Sequence, residues 1–161
     1  MRKKNYISLA NKAANTQIRE LKKIKKIFNN SFIEAIDLIL NCKGKVIFAG
    51  IGKSGLIARK ISATFSSVGI PSFFCDPAQA LHGDMGQIEK KDILIILSYS
   101  GNTTELNKML KYANRYRIKI IGVASKPDSL KPNFLVYYIF WPVLHFRKNS
   151  TQVFAENSNC Y

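Results

Sequence analysis

Four short apolar runs, separated by longer amphipathic segments, constrain the fold of this chain more than any other feature of its sequence. Each run is four to seven residues long, which suits a β-strand and is too short for a helix. Because the runs are apolar almost throughout, their strands are expected to be buried on both faces, as in parallel sheets covered by helices. The pattern therefore predicts an α/β protein with a doubly wound parallel sheet. The predicted strands are Lys45–Ala49, Ser72–Cys75, Asp92–Leu97 and Ile118–Ala124.

The segments around these runs carry apolar residues at helical spacing. Two amphipathic helices are predicted before the first strand. The second ends at Cys42-Lys43-Gly44, where Gly44 suits the left-handed residue that follows many helices. After the first and third strands the chain enters helices directly from glycine-containing loops. The predicted helices cover residues 6–28, 32–43, 54–68 and 103–116, with a helical turn at 77–82.

Positive charge is concentrated at the start of the chain. The 161 residues carry a formal net charge of +15, and residues 1–26 contain nine Lys or Arg and one Glu, or +8 of that total. This segment has no helix-turn-helix signal and no basic residues interleaved with aromatic ones. A solvated helix face is therefore favoured over nucleic-acid binding. The same cations would help to attract anionic metabolites.

Three features predict a cytoplasmic location and no membrane partner. The cysteines, Cys42, Cys75 and Cys160, share no metal-ligand spacing, and their odd number argues against a disulfide framework, which suits a reducing compartment. The basic start leads into no apolar run, so no signal peptide is expected. The longest apolar stretch, Phe134–Leu144, has 11 residues and includes Pro142, so it is too short to cross a bilayer.

The first predicted strand runs into a loop, Gly50–Gly55, from which a helix leaves. Its glycines permit close approach of a ligand, and the helix start, Lys53 and the Ser54 hydroxyl suit a phosphate. A P-loop would need glycine at Ile47, inside the strand, so a P-loop is excluded. A dinucleotide site stays open, because the loop matches G-x-G-x-x-G and Asp76 follows the next strand, where a ribose-binding acid would lie. A sugar-phosphate site is the other alternative.

The third strand ends in a second loop, which has four hydroxyl side chains around one glycine and leads at once into a helix. Hydroxyl groups and the free N–H groups of a helix start both donate to phosphate oxygens, and Gly101 permits close approach. A capping arrangement of Ser or Thr followed by Glu105 would account for one hydroxyl and the glutamate, but not for four hydroxyls. The loop therefore predicts a phosphate site. Its residues are Ser98, Tyr99, Ser100, Gly101, Asn102, Thr103, Thr104 and Glu105.

Taken in order, these motifs resemble those of the sugar isomerase (SIS) domain family. The second loop is similar to that family's phosphate loop, Ser-x-Ser-Gly-x-Thr-x-Glu. The first loop, Arg59-Lys60, Pro71–Phe74 and Ala80–Gly86 are similar to the arabinose-5-phosphate isomerase branch. The match covers residues 40–126 and favours the sugar-phosphate site over the dinucleotide alternative, which predicts nothing of the second loop. The resemblance implies a flavodoxin-like sheet, with N-terminal helices in residues 1–43, a sugar-phosphate-binding domain in 44–132 and an atypical tail in 133–161.

The implied reaction is the reversible conversion of ribulose 5-phosphate to arabinose 5-phosphate through an enediol. Such chemistry needs a tuned acid/base group and a fixed phosphate-binding site, and the resemblance implies no cofactor. Lys53 and Glu105 match catalytically relevant positions of the family, and His82 matches a substrate-contacting histidine, so these three are the catalytic candidates. The implied substrate- and phosphate-binding residues are Gly52, Ser54, Gly69, Ile70, Ser98, Ser100, Gly101, Asn102, Thr103 and Thr104.

The chain also departs from the family pattern. Asp76 stands where many relatives have a histidine that is sometimes counted as a metal contact. No metal is therefore expected, and Asp76 and His82 are only weak candidates for ligands. After about Pro127, a further catalytic Glu and a later catalytic His of the family have no counterpart, and His145 lies in no family context. We interpret residues 133–161 as a truncated or frameshifted end. The last strand and helix of the fold are then missing or replaced, with residues 134–140 as the candidate replacement strand.

Three functions remain open at this stage. An isomerase and a non-catalytic sugar-phosphate-binding module, whether regulatory or degenerate, would use the same phosphate-binding loops and differ only in their acid/base groups. A nicotinamide-dependent oxidoreductase is the third alternative, and cofactor binding without sugar-phosphate binding would select it. The expected partner is a small sugar phosphate, not nucleic acid or a membrane. The resemblance further implies a homo-oligomer, either a dimer or a tetramer.

Overall fold

Strands and helices alternate along most of the chain. The structure is a computed structural model that describes residues 5–99, 103–124 and 136–140. The strands are β1 (Val46–Gly50), β2 (Ser72–Cys75), β3 (Ile93–Ser98), β4 (Lys119–Ala124) and β5 (Val136–Phe140). The helices are α1 (Tyr6–Lys23), α2 (Asn30–Leu40), α3 (Lys53–Ser67), α4 (Pro77–Ala80) and α5 (Thr104–Arg115), with 3₁₀ turns at Ile24–Ile27 and Asp84–Gln87.

The five strands form one sheet in which every neighbouring pair is parallel. Their order is β2-β1-β3-β4-β5. From β1 the chain moves outward to β2, then returns past β1 and continues in the opposite direction through β3 and β4. This is the flavodoxin-like order of a doubly wound sheet, and the predicted fold class is confirmed.

The fifth strand comes from the part of the chain that departs from the family pattern. Val136 pairs with Ile120, and the parallel register continues to Phe140 opposite Ala124. The candidate replacement strand therefore does extend the sheet beside β4. The rest of the atypical tail, residues 133–135 and 141–161, lies outside the described residues.

Apolar side chains on both faces of the sheet form two separate core clusters. Every residue of β1 and β3 is buried, as predicted from their apolar sequences. On one face α5 packs over Ile47, Leu94 and Ile96. On the other face α2 and α3 contribute Ala35 and Ala58 to a cluster with Phe48 and Ile95. Helices thus cover both faces of the parallel sheet.

The end of α2 differs from the prediction. The helix ends at Leu40 with Asn41 as its C-cap, so Gly44 is not the left-handed residue after it, and that prediction was wrong. A Cβ atom at position 44 would instead overlap the carboxylate of Asp92. Asp92 is fully buried and accepts 2.8 Å hydrogen bonds from the main-chain N–H groups of Lys45 and Glu89. Gly44 is needed because it lies against this buried carboxylate.

The helix predicted over residues 6–28 is interrupted: α1 ends at Lys23 and a 3₁₀ turn follows. α1 belongs to one compact unit, and residues Ile27–Trp141 form another. Within α1, hydrogen bonds from Lys23 hold the pKa of the Glu20 carboxyl below its usual value. α2 belongs to the second unit, and the domain boundaries drawn from the sequence stay a prediction. Across the described ranges, no helix is both long enough and apolar enough to cross a membrane.

Candidate functional site

A crevice is expected at the carboxyl edge of the sheet, between β1 and β3. The two strands are neighbours, and their last paired residues are Gly50 and Leu97. The chain leaves β1 for α3 on one face and leaves β3 for α5 on the other face. In doubly wound sheets, ligands bind at this edge, where neighbouring connections diverge. The two predicted phosphate loops therefore start side by side.

The glycines of the first loop serve two different purposes. A Cβ atom on Gly50 would lie 2.9 Å from the main chain of Ser54 and 3.0 Å from the carbonyl oxygen of Leu97. A Cβ atom on Gly55 would meet the main chain of Gly50 in the same way. These two glycines let the end of β1 and the first turn of α3 touch through their backbones. Gly52 has open space around it, but its φ of 59° lies in the left-handed region, which residues other than glycine rarely adopt.

The first turn of α3 presents unpaired N–H groups and one cation. Gly52 is the N-cap and provides no side-chain hydrogen bond, and the first turn contains no acidic residue. Lys53 is the first helical residue and is exposed, while Ser54 is half-buried. A lysine at the positive end of a helix dipole is unfavourable for the isolated helix. Such local conflicts between sequence and structure are expected where a ligand is bound.

The first turn of α5 is also without a side-chain cap. Thr103 is the N-cap, but its hydroxyl forms no capping hydrogen bond, and the helix begins with the bond from Asn107 N to Thr103 O at 2.9 Å. Glu105 is the second helical residue rather than the third, so it does not complete a capping box with Thr103. Capping therefore does not account for these side chains. Thr104 is exposed, and Thr103 and Glu105 are partly exposed.

The rest of the second loop is only partly described. Ser98 ends β3 and is buried, with 7% of its surface exposed. Ser100, Gly101 and Asn102 lie outside the described residues, so their predicted contacts with phosphate stay predictions.

The starts of the other described α-helices differ from those at the crevice. Side-chain oxygens of Asn5, Asn29 and Asp76 accept hydrogen bonds from main-chain N–H groups in the first turns of α1, α2 and α4. Only α3 and α5 lack such a cap among these five helices. Their unpaired N–H groups and positive dipole ends favour an anion at the crevice.

The loop after β2 brings His82 to the same edge of the sheet. His82 is exposed, and its main-chain N–H donates to the carbonyl oxygen of Gln79 at 2.8 Å. Asp76 accepts a hydrogen bond from Ala78 N at 2.9 Å, so one carboxylate oxygen of this weak metal candidate caps α4. Within the described ranges, no three His, Cys, Asp or Glu side chains gather as metal ligands would.

Within this chain, Gly69 and Ile70 lie apart from the other candidate site residues. They end α3 in a Schellman motif, in which Gly69 N donates to Ser66 O and Ile70 N to Phe65 O. Gly69 has the positive φ, 86°, that this motif requires. The next strand, β2, begins opposite the start of β1, so the motif lies at the amino edge of the sheet. The length of the strand, at about 3.3 Å per residue, separates this edge from the carboxyl edge by about 13 Å. Their role in lining a substrate stays a prediction.

Cys75, at the end of β2, is not a nucleophile of this site. Its side chain is 3% exposed, and burial, with smaller contributions from the charges of Asp84 and Asp76, raises the pKa of the thiol to about 11. The thiol therefore stays protonated near neutral pH.

Arg59, which is part of the Arg59-Lys60 motif, has no individual role among the sequence-predicted site residues. The guanidinium of Arg59 lies over the ring of Phe74, with Cζ 4.5 Å from the ring centroid. The helical spacing of Arg59 from Gly55 was visible in the sequence. Its pairing with an aromatic residue of the next strand required the tertiary structure.

Comparisons with known proteins agree with this geometry. A family model described as the SIS domain matches residues 39–133, more than half of the chain. The chain belongs to the SIS domain family. The recognition made from the motifs is thereby confirmed.

Several relatives of this SIS chain are named as arabinose 5-phosphate isomerases. A "probable arabinose 5-phosphate isomerase" of Haemophilus influenzae is 41% identical over 128 residues, 80% of this chain and 38% of that protein. Arabinose 5-phosphate isomerase GutQ of Escherichia coli K12 is 41% identical over 113 residues, 70% of this chain and 35% of that protein. The SIS chain thus spans little more than a third of the length of these relatives.

A solved structure of a SIS relative gives the same fold with a ligand. A protein of Escherichia coli CFT073, solved in complex with arabinose 5-phosphate, superposes with a TM-score of 0.73 at 35% identity. The superposition covers 86% of this chain and 75% of that one.

Proposed function

We propose that this SIS chain binds a sugar phosphate at the carboxyl-edge crevice and that its reaction is aldose–ketose isomerisation of the arabinose 5-phosphate and ribulose 5-phosphate type. The observation that carries the proposal is the start of two helices without side-chain caps, α3 and α5, at neighbouring strand ends, with Lys53 in one first turn. The named activities and the bound ligand of relatives support the same substrate class.

The phosphoryl group is assigned to the first turn of α5. The first N–H groups of that helix have no intrahelical partners, and Thr103 and Thr104 add hydroxyl donors at its start. Donors of this kind, at the positive end of a helix dipole, bind a dianion without needing a counter-ion. Ser98 and Ser100 flank the same turn in sequence and are assigned to the same group.

The reacting carbons would then lie between Lys53, His82 and Glu105. Isomerisation moves a proton between neighbouring carbons, so one group must accept it and return it, and the negative charge on the enediolate oxygen must be stabilised. Lys53 is assigned to charge stabilisation because it is an exposed cation in the first turn of α3. Glu105 and His82 are assigned to proton transfer, because carboxylate and imidazole groups can both accept a proton and return it.

Binding and turnover are tested separately. Isothermal titration with arabinose 5-phosphate and with inorganic phosphate measures binding, and a coupled assay measures interconversion with ribulose 5-phosphate. Lys53→Met should weaken sugar-phosphate binding by about 10- to 100-fold, the loss expected for one charge-assisted contact of about 1.5–3 kcal/mol. Lys60→Met is the matched control, since it removes the same charge from an exposed position of the same helix. Absence of binding by the unmodified chain to any pentose phosphate would refute the proposal.

A second candidate is a sugar-phosphate-binding module without catalysis. It is favoured by one observation: residues 125–161 contain a single histidine, His145, and a single glutamate, Glu156, and neither lies in the sequence context that the family's later catalytic residues have. Tight binding of arabinose 5-phosphate with no interconversion would select this candidate. The predicted dimer or tetramer is checked by light scattering on the same samples.

A further inference from the structure

The ring of Phe74 rests on the first turn of α3. Gly55, the third residue of that helix, is buried, and the ring atom Phe74 Cζ lies 3.6 Å from the place where a Cβ atom on Gly55 would be. The aromatic side chain from the neighbouring strand β2 thus packs against the sheet-facing side of this turn at an ordinary van der Waals distance.

Arg59 covers the same ring one helical turn further on. Residues four apart lie on the same side of a helix, so Arg59 follows Gly55 along the surface that meets Phe74. The distance of 4.5 Å between Arg59 Cζ and the ring centroid lies within the range of cation–π contacts. In the described part of the chain, Arg59 forms no ion pair, so the ring is the contact that orients its guanidinium.

These contacts continue from the ring to the candidate site. Gly55 packs against the main chain of Gly50, and Gly50 in turn lies against the carbonyl oxygen of Leu97 in β3. The first turn of α3, which carries Lys53, therefore has two neighbours on its sheet-facing side. The main chain of Gly50 and the ring of Phe74 both lie within 4 Å of the place where a Cβ atom on Gly55 would be.

We propose that Arg59 is a positioning residue of the anion site: with Phe74 it holds the first turn of α3 against the sheet and so fixes the place of Lys53 and of the unpaired N–H groups. Arg59 acts through the helix turn and not by touching the ligand. This inference rests on the proposed sugar-phosphate binding for its functional part, while its structural part can be measured without any ligand.

The variants separate the ring contact from the charge. Arg59→Met removes both, and Arg59→Lys keeps the charge but loses the planar group that stacks on the ring. Phe74→Leu keeps an apolar side chain but removes the ring. Lys60→Met is the matched control, because Lys60 is the next residue, is exposed and carries the same charge. Thermal unfolding of each variant first confirms that it is folded.

Two measurements are made on the full chain. Hydrogen exchange by mass spectrometry follows peptides that cover residues 52–58, and titration with arabinose 5-phosphate and with inorganic phosphate gives the binding constants. We expect Arg59→Met to speed exchange in these peptides and to weaken binding, each by about two- to fivefold, the size of an exposed cation–π contact. Lys60→Met should change neither. In the Phe74→Leu background, Arg59→Met should have no further effect.

Four outcomes would overturn the inference. The first is unchanged exchange in Arg59→Met. The second is faster exchange with unaltered affinity, which would make Arg59 purely structural. The third is full recovery of affinity in Arg59→Lys without recovery of exchange, which would make it a charge contact. The fourth is an additive effect in the Phe74→Leu background. If the unmodified chain binds no phosphate ligand, the proposed function fails, and the exchange data alone decide whether Arg59 holds the turn.

Discussion

Replacing Gly55 by alanine tests whether the backbone contact between β1 and α3 shapes the candidate site. A Cβ atom at position 55 would lie 2.5 Å from the carbonyl oxygen of Gly50, whereas ordinary contacts begin near 3.4 Å. The overlap is between the new Cβ atom and a main-chain oxygen, so no change of side-chain rotamer relieves it. The first turn of α3 must move away from the strand by about 1 Å, which also moves Lys53.

The magnitude follows from two opposing terms. Helix propensity alone would make alanine more stable than glycine by about 1 kcal/mol. Overpacking costs about 1–3 kcal/mol, and the upper part of that range applies where only backbone can yield. The net expectation for Gly55→Ala is a loss of about 1–2 kcal/mol in the free energy of unfolding, or about 5 °C in Tm for a chain of this size.

Gly86→Ala is the matched control for this substitution. Gly86 also lies in a helical turn, but an added Cβ would meet nothing within 4 Å and its φ is not positive. Alanine there should leave stability unchanged or raise it by up to about 1 kcal/mol. Urea unfolding followed by circular dichroism, with phosphate titration in parallel, compares the two variants. A Gly55→Ala chain as stable as the unmodified protein, with the same phosphate affinity, would refute the reasoning.

Three further substitutions and one pH series test separate parts of the structure. Asp92→Ala should cost about 1–3 kcal/mol of unfolding free energy in urea, because it leaves two partly buried main-chain N–H donors without their acceptor; a loss below about 0.5 kcal/mol would contradict this. Thr103→Ala should change Tm little, because its hydroxyl forms no cap, but it should weaken phosphate binding in titration. Asn29→Ala removes a side-chain cap, so it should lower the free energy of unfolding by about 1 kcal/mol and leave phosphate binding unchanged. Because the pKa of Cys75 is raised to about 11 from an ordinary value of 9.0, its contribution to stability is complete below pH 9 and is lost as pH rises from 9 to 11. Urea unfolding over that window should therefore show a steeper decline for the unmodified chain than for Cys75→Ala, and equal slopes would count against a buried thiol.

The strands were predictable because the signal that defines them is local. Each predicted apolar run matches an observed strand to within one residue at either end. The ends of helices were less predictable. Gly44 has the residue type of a helix stop, yet its position depends on Asp92, which lies 48 residues further along the chain, and no local rule connects the two.

The candidate site was predictable in composition and not in arrangement. The hydroxyl cluster and Lys53 were visible as side chains that follow apolar strands. The sequence did not show which glycines of the first loop allow close packing, or which one adopts a positive φ. Gly50 and Gly55 pack backbone against backbone, while Gly52 has open space and φ of 59°. The pairing of Arg59 with Phe74 was hidden for the same reason, because it joins a helix to the strand that follows it.

The sequence by itself determined the alternation of strands and helices and the residue types at the strand ends, because the spacing of apolar side chains and the chemistry of loops are properties of near neighbours in the chain. Only the tertiary structure decided which of those strand ends share an edge. It placed the uncapped starts of α3 and α5 together and left Gly69 and Ile70 at the opposite edge. Strand order and the face on which each helix packs depend on contacts between residues far apart in the chain, and such contacts leave no periodic mark on the sequence.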